Sequence, residues 1–394
     1  MTTDHMGGRS GADTQGEPAG SPVHPNRTER SHRTAPTIGE GDRIRVAVVG
    51  GGIGRSHLTA YRALPDLFEI AAICDIERVR AASLAEVFSV SQVITSLDEL
   101  CGRDDVDVID ICTPPDLHVV HILQVLAAGK HAVCEKPLSA SLADMDRLAD
   151  AEQRSGRRVM PIFNYRFGAG MQKLRYLIEQ GIAGCPYLGT VEVAWRRRAA
   201  YYDVPWRGRW QTELGGCMTG HAIHFLDLLM TVLGPVRSVF ARTATLVNPI
   251  ETEDCGSVSL EMANGALASV SVTLGSSAEI SRQRYCFANL VAESNLAPYD
   301  KNTGEPWQFV ADTPELAAQM DAALVTFKPG AEGFEGQFAR FGKALTTCAE
   351  LPVTLADARR TIELLTAIYA SARTNAAIDL PVGQDHPLYD SWLP

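Results

Sequence analysis

The stretch 44–75 reads IRVAVVGGGIGRSHLTAYRALPDLFEIAAICD, and it constrains the fold more than any other part of the chain. Residues 45–49 are mostly apolar and β-branched, as in a strand that is buried on both faces. Four glycines come next: Gly50, Gly51, Gly52 and Gly54. A helical apolar pattern follows, and a second apolar run at 68–74 ends on Asp75. The order predicts a strand, a glycine turn, a helix and a second strand that ends in an acid.

This glycine turn suits a dinucleotide. Glycines let the backbone approach a pyrophosphate, and the helix N-terminus offers free N–H groups with a partial positive charge. We expect four positions of the turn to bind the cofactor: Gly50, Gly52, Ile53 and Gly54. The spacing departs from the usual G-x-G-x-x-G, because Arg55 stands where the third glycine would fall. Such turns also occur without a ligand, but the flanking strands, helix and acid favour a dinucleotide here.

The acid at the end of the second strand bears on the choice of cofactor. A carboxylate about 20 positions after the turn can accept hydrogen bonds from the adenosine ribose. Asp75 has this place, although it could instead only cap its strand. Because Glu77 stands close by, it would repel a 2′-phosphate, so NAD is favoured over NADP.

Composition excludes several classes of protein. The 394 residues are enough for two domains, and 45% hydrophobic and 21% charged residues are typical of a globular protein. A net charge of −11 argues against a nucleic-acid partner, because phosphate contacts need a basic surface. No apolar run approaches the roughly 18 residues of a membrane helix, and no secretory signal is visible. We therefore expect no membrane partner and a cytoplasmic location.

The nine cysteines form no C-x-x-C pair. Cys74, Cys112 and Cys134 fall within or at the ends of apolar strands, where we expect buried, reduced thiols. No ligand spacing supports structural zinc, and no metal site is predicted.

Three parts of the chain differ in pattern. Residues 1–41 are rich in Gly, Pro, Ser, Thr and Arg and hold hardly an apolar residue, so we expect a disordered tail. In 42–165, strand patterns alternate with helical ones, which predicts βαβ units and a doubly wound parallel sheet of the Rossmann type. Polar residues follow these strands at their C-terminal ends, where open α/β sheets bind ligands.

Residues 166–394 predict a second, α+β domain. Helical patterns stand at 213–233, 334–349 and 355–376. Strand-like runs stand at 236–247, 256–262, 266–274 and 280–287. Asn264-Gly265 reads as a hairpin turn between two of these runs, which indicates an open, mostly antiparallel sheet. The polar, Pro- and Gly-rich segment 295–329 is expected to be a long excursion.

Several motifs occur in a characteristic order after the glycine turn. They are Cys112-Thr113-Pro114-Pro115, Cys134-Glu135-Lys136-Pro137-Leu138, Tyr165-Arg166-Phe167 and Gly215-Gly216…Gly220-His221-Ala222-Ile223-His224…Asp227. Together they resemble the glucose–fructose oxidoreductase / inositol dehydrogenase / rhizopine-catabolism (Gfo/Idh/MocA) family, over about 44–381. The resemblance implies a Rossmann domain and a C-terminal domain whose sheet often mediates homodimers or homotetramers. It also implies a nicotinamide cofactor, NAD, and hydride transfer at a sugar or cyclitol carbon.

The resemblance assigns catalysis to two residues. Lys136 matches the family lysine that contacts the substrate hydroxyl and the nicotinamide ribose, and His224 matches the histidine of the D-x-x-x-H pattern, a general base or acid. A lysine is a poor base near neutral pH, so either its pKa is depressed or it polarises the oxygen while His224 takes the proton. We favour the second arrangement, because histidine titrates near the working pH.

One position departs from the family pattern. Gly220 stands four residues before His224, where an aspartate is often found, and His221 lies beside it. Either His221 takes part of the aspartate's role or the substrate differs from inositol. His221 and His224 could also chelate a metal with Asp227, but no third ligand has a clear spacing.

The remaining site residues are assigned to cofactor or substrate. For the cofactor we expect Thr113, Pro114, His118, Glu135, Lys136, Arg166, Trp206 and Arg207, in addition to the turn and Asp75. For the substrate we expect Lys136, Tyr165, His221 and His224. Arg166 could alternatively be a surface arginine that caps a helix.

Arginines and aromatic residues alternate between 195 and 210. Such a segment can clamp anionic oxygens and stack on sugar faces. The alternative is a solvated strand and loop whose arginines meet acids across an oligomer interface. If the segment lines the site, we expect Trp206 and Arg207 to contact the cofactor phosphate and substrate.

The sequence thus predicts an NAD-dependent dehydrogenase acting on a carbohydrate or polyol, either a sugar, a sugar acid or a cyclitol. An alternative keeps the cofactor but uses transient oxidation to hydrolyse a glycosidic bond, including that of an anionic or sulfonated sugar. A non-enzymatic NAD-sensing regulator is disfavoured, because Lys136 and His224 are both present.

Overall fold

The first sheet consists of six parallel strands: β1 (Ile44–Val49), β2 (Phe68–Cys74), β3 (Val93–Ile94), β4 (Val108–Ile111), β5 (His131–Cys134) and β6 (Val159–Pro161). Their order is β3-β2-β1-β4-β5-β6 in the computed structural model, which describes residue 39 and residues 41–394. The order reverses between β1 and β4, so a crevice opens at their carboxyl ends. The predicted tail, 1–41, lies almost wholly outside the described residues.

Helices connect these strands as the sequence pattern predicts. They are α1 (Gly54–Arg62), α2 (Arg78–Phe88), α3 (Leu97–Cys101), α4 (His118–Ala127) and α5 (Leu142–Ser155). Between β1 and α1, Gly50 has φ +98°, and a Cβ there would lie 2.4 Å from the carbonyl oxygen of Cys112. Only glycine fits such a position, since it combines a left-handed backbone with a close approach to β4.

The second sheet has eight strands in the order β13-β12-β11-β7-β10-β9-β8-β14. Their bounds are β7 (Pro186–Arg196), β8 (Val236–Ala244), β9 (Cys255–Met262), β10 (Leu267–Thr273), β11 (Gly275–Phe287), β12 (Leu290–Glu293), β13 (Gln308–Ala311) and β14 (Ile378–Asp379). Only β7 and β10 pair in parallel; the other neighbours are antiparallel. The predicted hairpin at Asn264-Gly265 is confirmed between β9 and β10, where Gly265 has φ +87°. The fold class is therefore the predicted one.

The helices of this part are α6 (Ala169–Glu179), α7 (Ala199–Tyr202), α8 (Trp210–Glu213), α9 (Ile223–Leu233), α10 (Pro314–Thr326), α11 (Gly333–Thr347) and α12 (Leu355–Thr374). The last two pack across the molecule onto the first sheet's helices. In α11, Phe338 stacks on Tyr61 of α1 with ring centroids 4.2 Å apart. The division into 42–165 and 166–394 stays a prediction, although each range holds one sheet.

The long helix predicted at 213–233 is wrong in its first half. Helix α8 ends at Glu213, a π-helical turn follows at Met218–Ala222, and α9 begins only at Ile223. Gly216 explains the break, because a Cβ there would lie 1.8 Å from the carbonyl oxygen of Glu253. The Glu253 carboxylate also accepts the N–H of Gly216, at 3.0 Å, so a regular helix is interrupted there.

Two further differences concern elements that the sequence pattern hid. The segment 295–329 is not an irregular excursion, since it holds a 3₁₀ helix at Tyr299–Thr303, β13 and α10. Thr313 caps α10, and Pro314 occupies its first turn, which is a helix-start signal. The central strand β7 was not predicted.

One helical stretch, Trp210–Leu233, is long and apolar enough to cross a membrane, but 83% of its most apolar window is buried in the protein.

Candidate active site

Three neighbouring strands bring the predicted motifs to one edge of the first sheet. Thr113 and Pro114 follow β4, Glu135 and Lys136 follow β5, and a 3₁₀ helix at Asn164–Phe167 follows β6. Because these strands are parallel and adjacent, their carboxyl ends lie side by side. The motifs, far apart in sequence, therefore form one continuous edge.

The glycine turn has the features of an anion site. Helix α1 begins at Gly54 without a side-chain cap, and the N–H groups of Arg55 and Ser56 donate to the carbonyls of Gly52 and Ile53. An anion would therefore meet the backbone of the turn and the positive end of the helix dipole. A Cβ at Gly52 would meet no atom within 4 Å, which leaves open space beside the turn. Ile53, at the helix start, is 43% exposed. The turn thus fits the pyrophosphate of a dinucleotide.

Asp75 is tied into this turn by hydrogen bonds. Its carboxylate accepts the N–H groups of Gly51, at 2.7 Å, and Glu77, at 2.8 Å. Arg80 donates to both oxygens, at 2.6 Å each. Burial raises the pKa of Asp75, but the hydrogen bonds from Arg80, Glu77 and Gly51 outweigh it and lower the pKa. Since the Arg80 side chain is 50% exposed, it is the partner that a ribose hydroxyl could displace.

Lys136 joins the first sheet to the second part of the chain. Its Nζ donates to the carbonyl oxygen of Gly220 at 2.9 Å. Burial lowers the pKa of Lys136; the carboxylate of Glu135 opposes this shift, and the guanidinium of Arg207 adds to it. The ammonium is therefore held in place beside the turn that carries His221 and leads into α9, which carries His224.

Behind Lys136, Glu135 belongs to a buried chain of charged groups. Its Oε1 lies 3.1 Å from Nε2 of His57, and Nδ1 of that ring lies 2.8 Å from Asp110. Burial raises the pKa of Glu135, but the hydrogen bond from His57 and the charge of Lys136 outweigh it and lower the pKa to about 2. Glu135 is therefore ionised, and its own contacts face the protein interior.

The ring of His57 also lies close to a thiol. Single ligand atoms of His57, Asp110 and Cys112 lie within 4.8 Å of one another, a grouping that could hold a metal ion. Both nitrogens of the His57 ring, however, contact carboxylates at hydrogen-bond distance. Hydrogen bonding accounts for this cluster without a metal.

His118 is buried between the loops that follow β4 and β5. It is 1% exposed, with Nδ1 at 2.7 Å from the carbonyl oxygen of Pro137 and Nε2 at 2.9 Å from that of Thr113. Burial lowers its pKa, and the hydrogen bonds to these two carbonyls oppose that shift. His118 thus holds the loops after β4 and β5 together, and its contact with the cofactor stays a prediction.

His224 lies in α9 with its ring face against Tyr165. The two rings are stacked, with centroids 4.1 Å apart and planes 7° apart. Burial lowers the pKa of His224 well below its ordinary value, and the charge of Lys136 lowers it further. Its Nδ1 is buried without a hydrogen-bond partner among the described residues. A neutral imidazole with a free nitrogen can therefore meet a substrate hydroxyl.

His221, in the π-helical turn, lies against the arginine–aromatic segment 195–210. Its Nε2 lies 3.3 Å from Nε of Arg197 and 3.3 Å from the hydroxyl of Tyr201. Burial lowers its pKa well below the ordinary value, and Arg197 and Lys136 lower it further. Its Nδ1, like that of His224, is buried and has no partner in the described part of the chain.

Within the arginine–aromatic segment, arginines pack against aromatic rings and pair with acids. Arg207 lies between two rings, 4.0 Å from the centroid of Tyr201 and 4.2 Å from that of Trp206. Arg197 pairs with Glu279 at 3.4 Å, and Arg207 with Glu213 at 3.5 Å. These arginines therefore meet acids within the chain. Contacts of Trp206 and Arg207 with the cofactor stay predictions.

Arg166 is not a surface arginine, and its contact with the cofactor stays a prediction. It is 8% exposed, and its guanidinium donates to both carboxylate oxygens of Asp227, at 2.7 and 2.5 Å. Asp357 lies 3.3 Å away on the other side. Arg166 is thus enclosed by two carboxylates and joins the 3₁₀ helix to α9 and α12. This pairing also occupies the carboxylate that could have chelated a metal with His221 and His224.

Several site residues were missed from the sequence: Asp110, Arg197, Tyr201, Glu213, His57 and Arg80. Arg80 could have been found, since it stands one helical turn after a strand-end acid. Arg197 and Tyr201 lie in the segment that was singled out, but Trp206 and Arg207 were chosen instead. The others are brought to the site by tertiary packing, for which the sequence carries no local signal.

A doubly wound sheet with this turn and strand-end acid is that of a dinucleotide-binding enzyme. Comparison with known proteins agrees: a model of the oxidoreductase family with an NAD-binding Rossmann fold matches residues 44–163. A model of the GFO/IDH/MocA C-terminal domain matches residues 171–286. The chain belongs to the Gfo/Idh/MocA family of oxidoreductases. The predicted family, the NAD cofactor and the dehydrogenase class are thereby confirmed.

Individual relatives are distant in sequence. An uncharacterized oxidoreductase of Bacillus subtilis is 26% identical over 87% of this chain and 97% of its own length. The D-glucoside 3-dehydrogenase of Escherichia coli is 31% identical over 51% of this chain and 57% of its own. The WlbA dehydrogenase of Bordetella pertussis, solved with NADH and UDP-GlcNAcA, has a TM-score of 0.76 at 29% identity, covering 87% of this chain and 100% of its own.

Proposed function

We propose that the protein transfers hydride between NAD and a secondary alcohol of a sugar, a sugar acid or a cyclitol. One observation carries the proposal. The Lys136 ammonium, which donates to the carbonyl of Gly220, lies near His221 and His224, whose Nδ1 atoms are buried without a partner among the described residues, at the carboxyl edge of an NAD-binding sheet. Unpaired polar groups in a buried site are costly, and the hydroxyls of a polyol would satisfy them. The relatives that act on D-glucosides or carry UDP-GlcNAcA support this substrate class.

The cofactor supplies the hydride acceptor; the chain supplies the binding and the proton transfer. The ammonium of Lys136 donates to the substrate oxygen and stabilises the negative charge that develops on it. His224 is neutral at working pH, because burial disfavours its imidazolium, and its free nitrogen accepts the hydroxyl proton. Tyr165 fixes the plane of the His224 ring by stacking, so the acceptor nitrogen is oriented before substrate arrives.

A panel experiment tests this function. NAD and NADP are each incubated with D-glucose, methyl D-glucoside, D-glucuronate, myo-inositol and sulfoquinovose, and reduced cofactor is followed at its absorbance band. Accumulation of NADH with at least one polyol supports the proposal. Release of free sugar from a glycoside without accumulation of NADH would instead identify glycoside hydrolysis by transient oxidation. No turnover of any compound would contradict both.

Asp75 provides a separate test of cofactor choice. Asp75→Ala should weaken NAD binding by about ten- to a hundredfold, since a charged hydrogen bond to the ribose contributes about 1.5–3 kcal/mol. Loss of the carboxylate also frees Arg80, so the preference for NAD over NADP should narrow. The measurement is kcat/KM with each cofactor, and Glu77→Gln is the control that removes only the outer charge. An unchanged cofactor ratio in Asp75→Ala would contradict the assignment.

We also propose assembly through the second sheet. Several apolar side chains on its strands are exposed, including Leu188 at 41%, Leu267 at 55% and Val310 at 62%. Exposed apolar patches of this kind are typical of an interface. A homodimer or homotetramer is expected in light scattering, and a monomer at micromolar concentration would contradict it.

A cytoplasmic location agrees with nine free cysteines, and cell fractionation tests it.

A further inference from the structure

Glu213 is a buried carboxylate that no part of the proposed mechanism uses. It ends α8, is 3% exposed, and accepts the N–H of Gly208 with one oxygen. Its other oxygen, Oε1, lies 3.5 Å from Nη1 of Arg207. A buried acid with a single cationic partner at this distance is costly unless it serves the site.

Glu213 lies next to a residue that has no side chain, Gly220. Gly220 has no Cβ, and one built there would lie 3.7 Å from Oε1 of Glu213. The carbonyl of the same Gly220 accepts the Lys136 ammonium at 2.9 Å. Glu213 therefore lies next to the space that a side chain at position 220 would enter, and Lys136 contacts the backbone of the same residue.

The two groups influence each other's ionisation. Burial raises the pKa of Glu213, against the opposing effects of the Gly208 N–H, Arg207 and Lys136. Burial lowers the pKa of Lys136, and the charges of Glu135 and Glu213 oppose that shift. The groups that face this pair from the surrounding elements are Glu135, Arg197, Tyr201, Tyr202, Arg207, His221 and His224. Glu135 and Glu213 are the only acids among these seven groups and the pair itself.

We propose that Glu213 supplies the site's carboxylate in place of a side chain at position 220, and that its charge keeps Lys136 protonated. Glu213 is thus a positioning residue that acts through Lys136. Glu135, whose Oε1 contacts His57 and whose Oε2 accepts the N–H of Lys136, also favours the ammonium, so the two acids act on Lys136 together. The inference rests on the proposed function for its meaning, but the charge of Lys136 can be measured without any substrate.

The test is the pH dependence of Lys136 labelling by acetic anhydride, quantified by mass spectrometry. A carboxylate close to an amine shifts its pKa by about one unit or more, so Glu213→Gln should lower the labelling midpoint of Lys136 by about one pH unit. The alkaline limb of kcat/KM for the best compound of the panel should move by the same amount in the same direction. Glu251→Gln is the matched control, because Glu251 also contacts α8, at the N–H of Trp210, from an exposed position.

Relocating the carboxylate makes the test specific. Adding Gly220→Asp to Glu213→Gln should return the labelling midpoint to within a few tenths of a unit of the original, because the new acid enters the same space. NAD binding and circular dichroism show whether each variant is folded. An unchanged midpoint in folded Glu213→Gln would overturn the inference. Absence of turnover in the unaltered protein would overturn only the proposed function, since the labelling result stands by itself.

Discussion

Lys136→Met should reduce kcat by about three orders of magnitude, because both charge stabilisation and proton positioning at the reacting oxygen depend on the ammonium. Methionine keeps most of the side chain's length and removes only its charge and its donors. NAD affinity should change by no more than a few-fold, since the glycine turn and Asp75 are expected to bind the other end of the cofactor. Steady-state turnover of the best compound of the panel and quenching of protein fluorescence by NAD measure the two effects.

Lys130→Met is the matched control for this variant. Lys130 also donates to backbone carbonyls, those of Arg103 at 2.5 Å and Val106 at 2.8 Å, and it lies just before β5, at the opposite end of that strand. Its replacement should lower stability and leave kcat/KM within two-fold. If Lys136→Met kept more than about a tenth of the original kcat, the role assigned to the ammonium would be wrong.

His224→Asn separates the two arrangements for proton transfer. If His224 takes the proton, this variant should lose about 10²-fold or more in kcat and should lose the acid limb of the pH profile. Because the pKa of His224 is lowered by burial and by Lys136, that limb should lie well below pH 6.5 in the unaltered protein. If the loss of kcat at low pH instead has its midpoint in the alkaline range, and if His224→Asn keeps that midpoint, Lys136 is the base.

Local sequence patterns were sufficient where the chemistry follows a strand directly. The glycine turn, Asp75, Glu135 and Lys136 each stand within a few residues of a buried apolar run. The topology of a parallel sheet then determines that they meet at one edge. For this reason the α/β fold and the first half of the site could be predicted from residue order alone.

The second half of the site depends on packing between distant segments. Glu213 lies close to Gly220 only because Gly215 and Gly216 interrupt the helix at Glu253. The apolar residues of 213–233 outweighed the breaker signals at Gly215, Gly216 and Gly220, so one continuous helix was predicted. Arg166 was assigned to the cofactor from its place in a motif, but its two acidic partners are 61 and 191 residues away in sequence. No periodicity reports such pairings.

His57→Leu should lower the free energy of unfolding by about 3–5 kcal/mol, the usual effect of removing one partner from a buried ion pair. The imidazole lies between Asp110 and Glu135, and its side chain is 0% exposed. Leucine can fill the space against Phe334, whose ring centroid is 4.5 Å from that of His57, but it leaves both carboxylates without this partner. Urea denaturation followed by circular dichroism measures the loss.

The pH dependence of that loss identifies its cause. Burial lowers the pKa of His57, but the charge of Asp110 and its hydrogen bond outweigh it, so the folded pKa lies well above 6.5. A raised folded pKa means that the contribution of His57 is fully present below about pH 6.5 and is lost as pH rises through the folded value. The difference between the unaltered protein and His57→Leu should therefore be largest near pH 6 and narrow toward alkaline pH.

His131→Leu serves as the comparison, since His131 is neutral in the fold: burial and Arg157 lower its pKa to about 4. Its Nδ1 accepts only a backbone N–H, that of Arg158, at 3.1 Å. Its replacement should cost about 1 kcal/mol, the net contribution of an ordinary hydrogen bond, with no narrowing toward alkaline pH. If His57→Leu were equally mild and its effect did not narrow toward alkaline pH, the imidazole would be an uncharged packing residue, and the low pKa of Glu135 would need another cause.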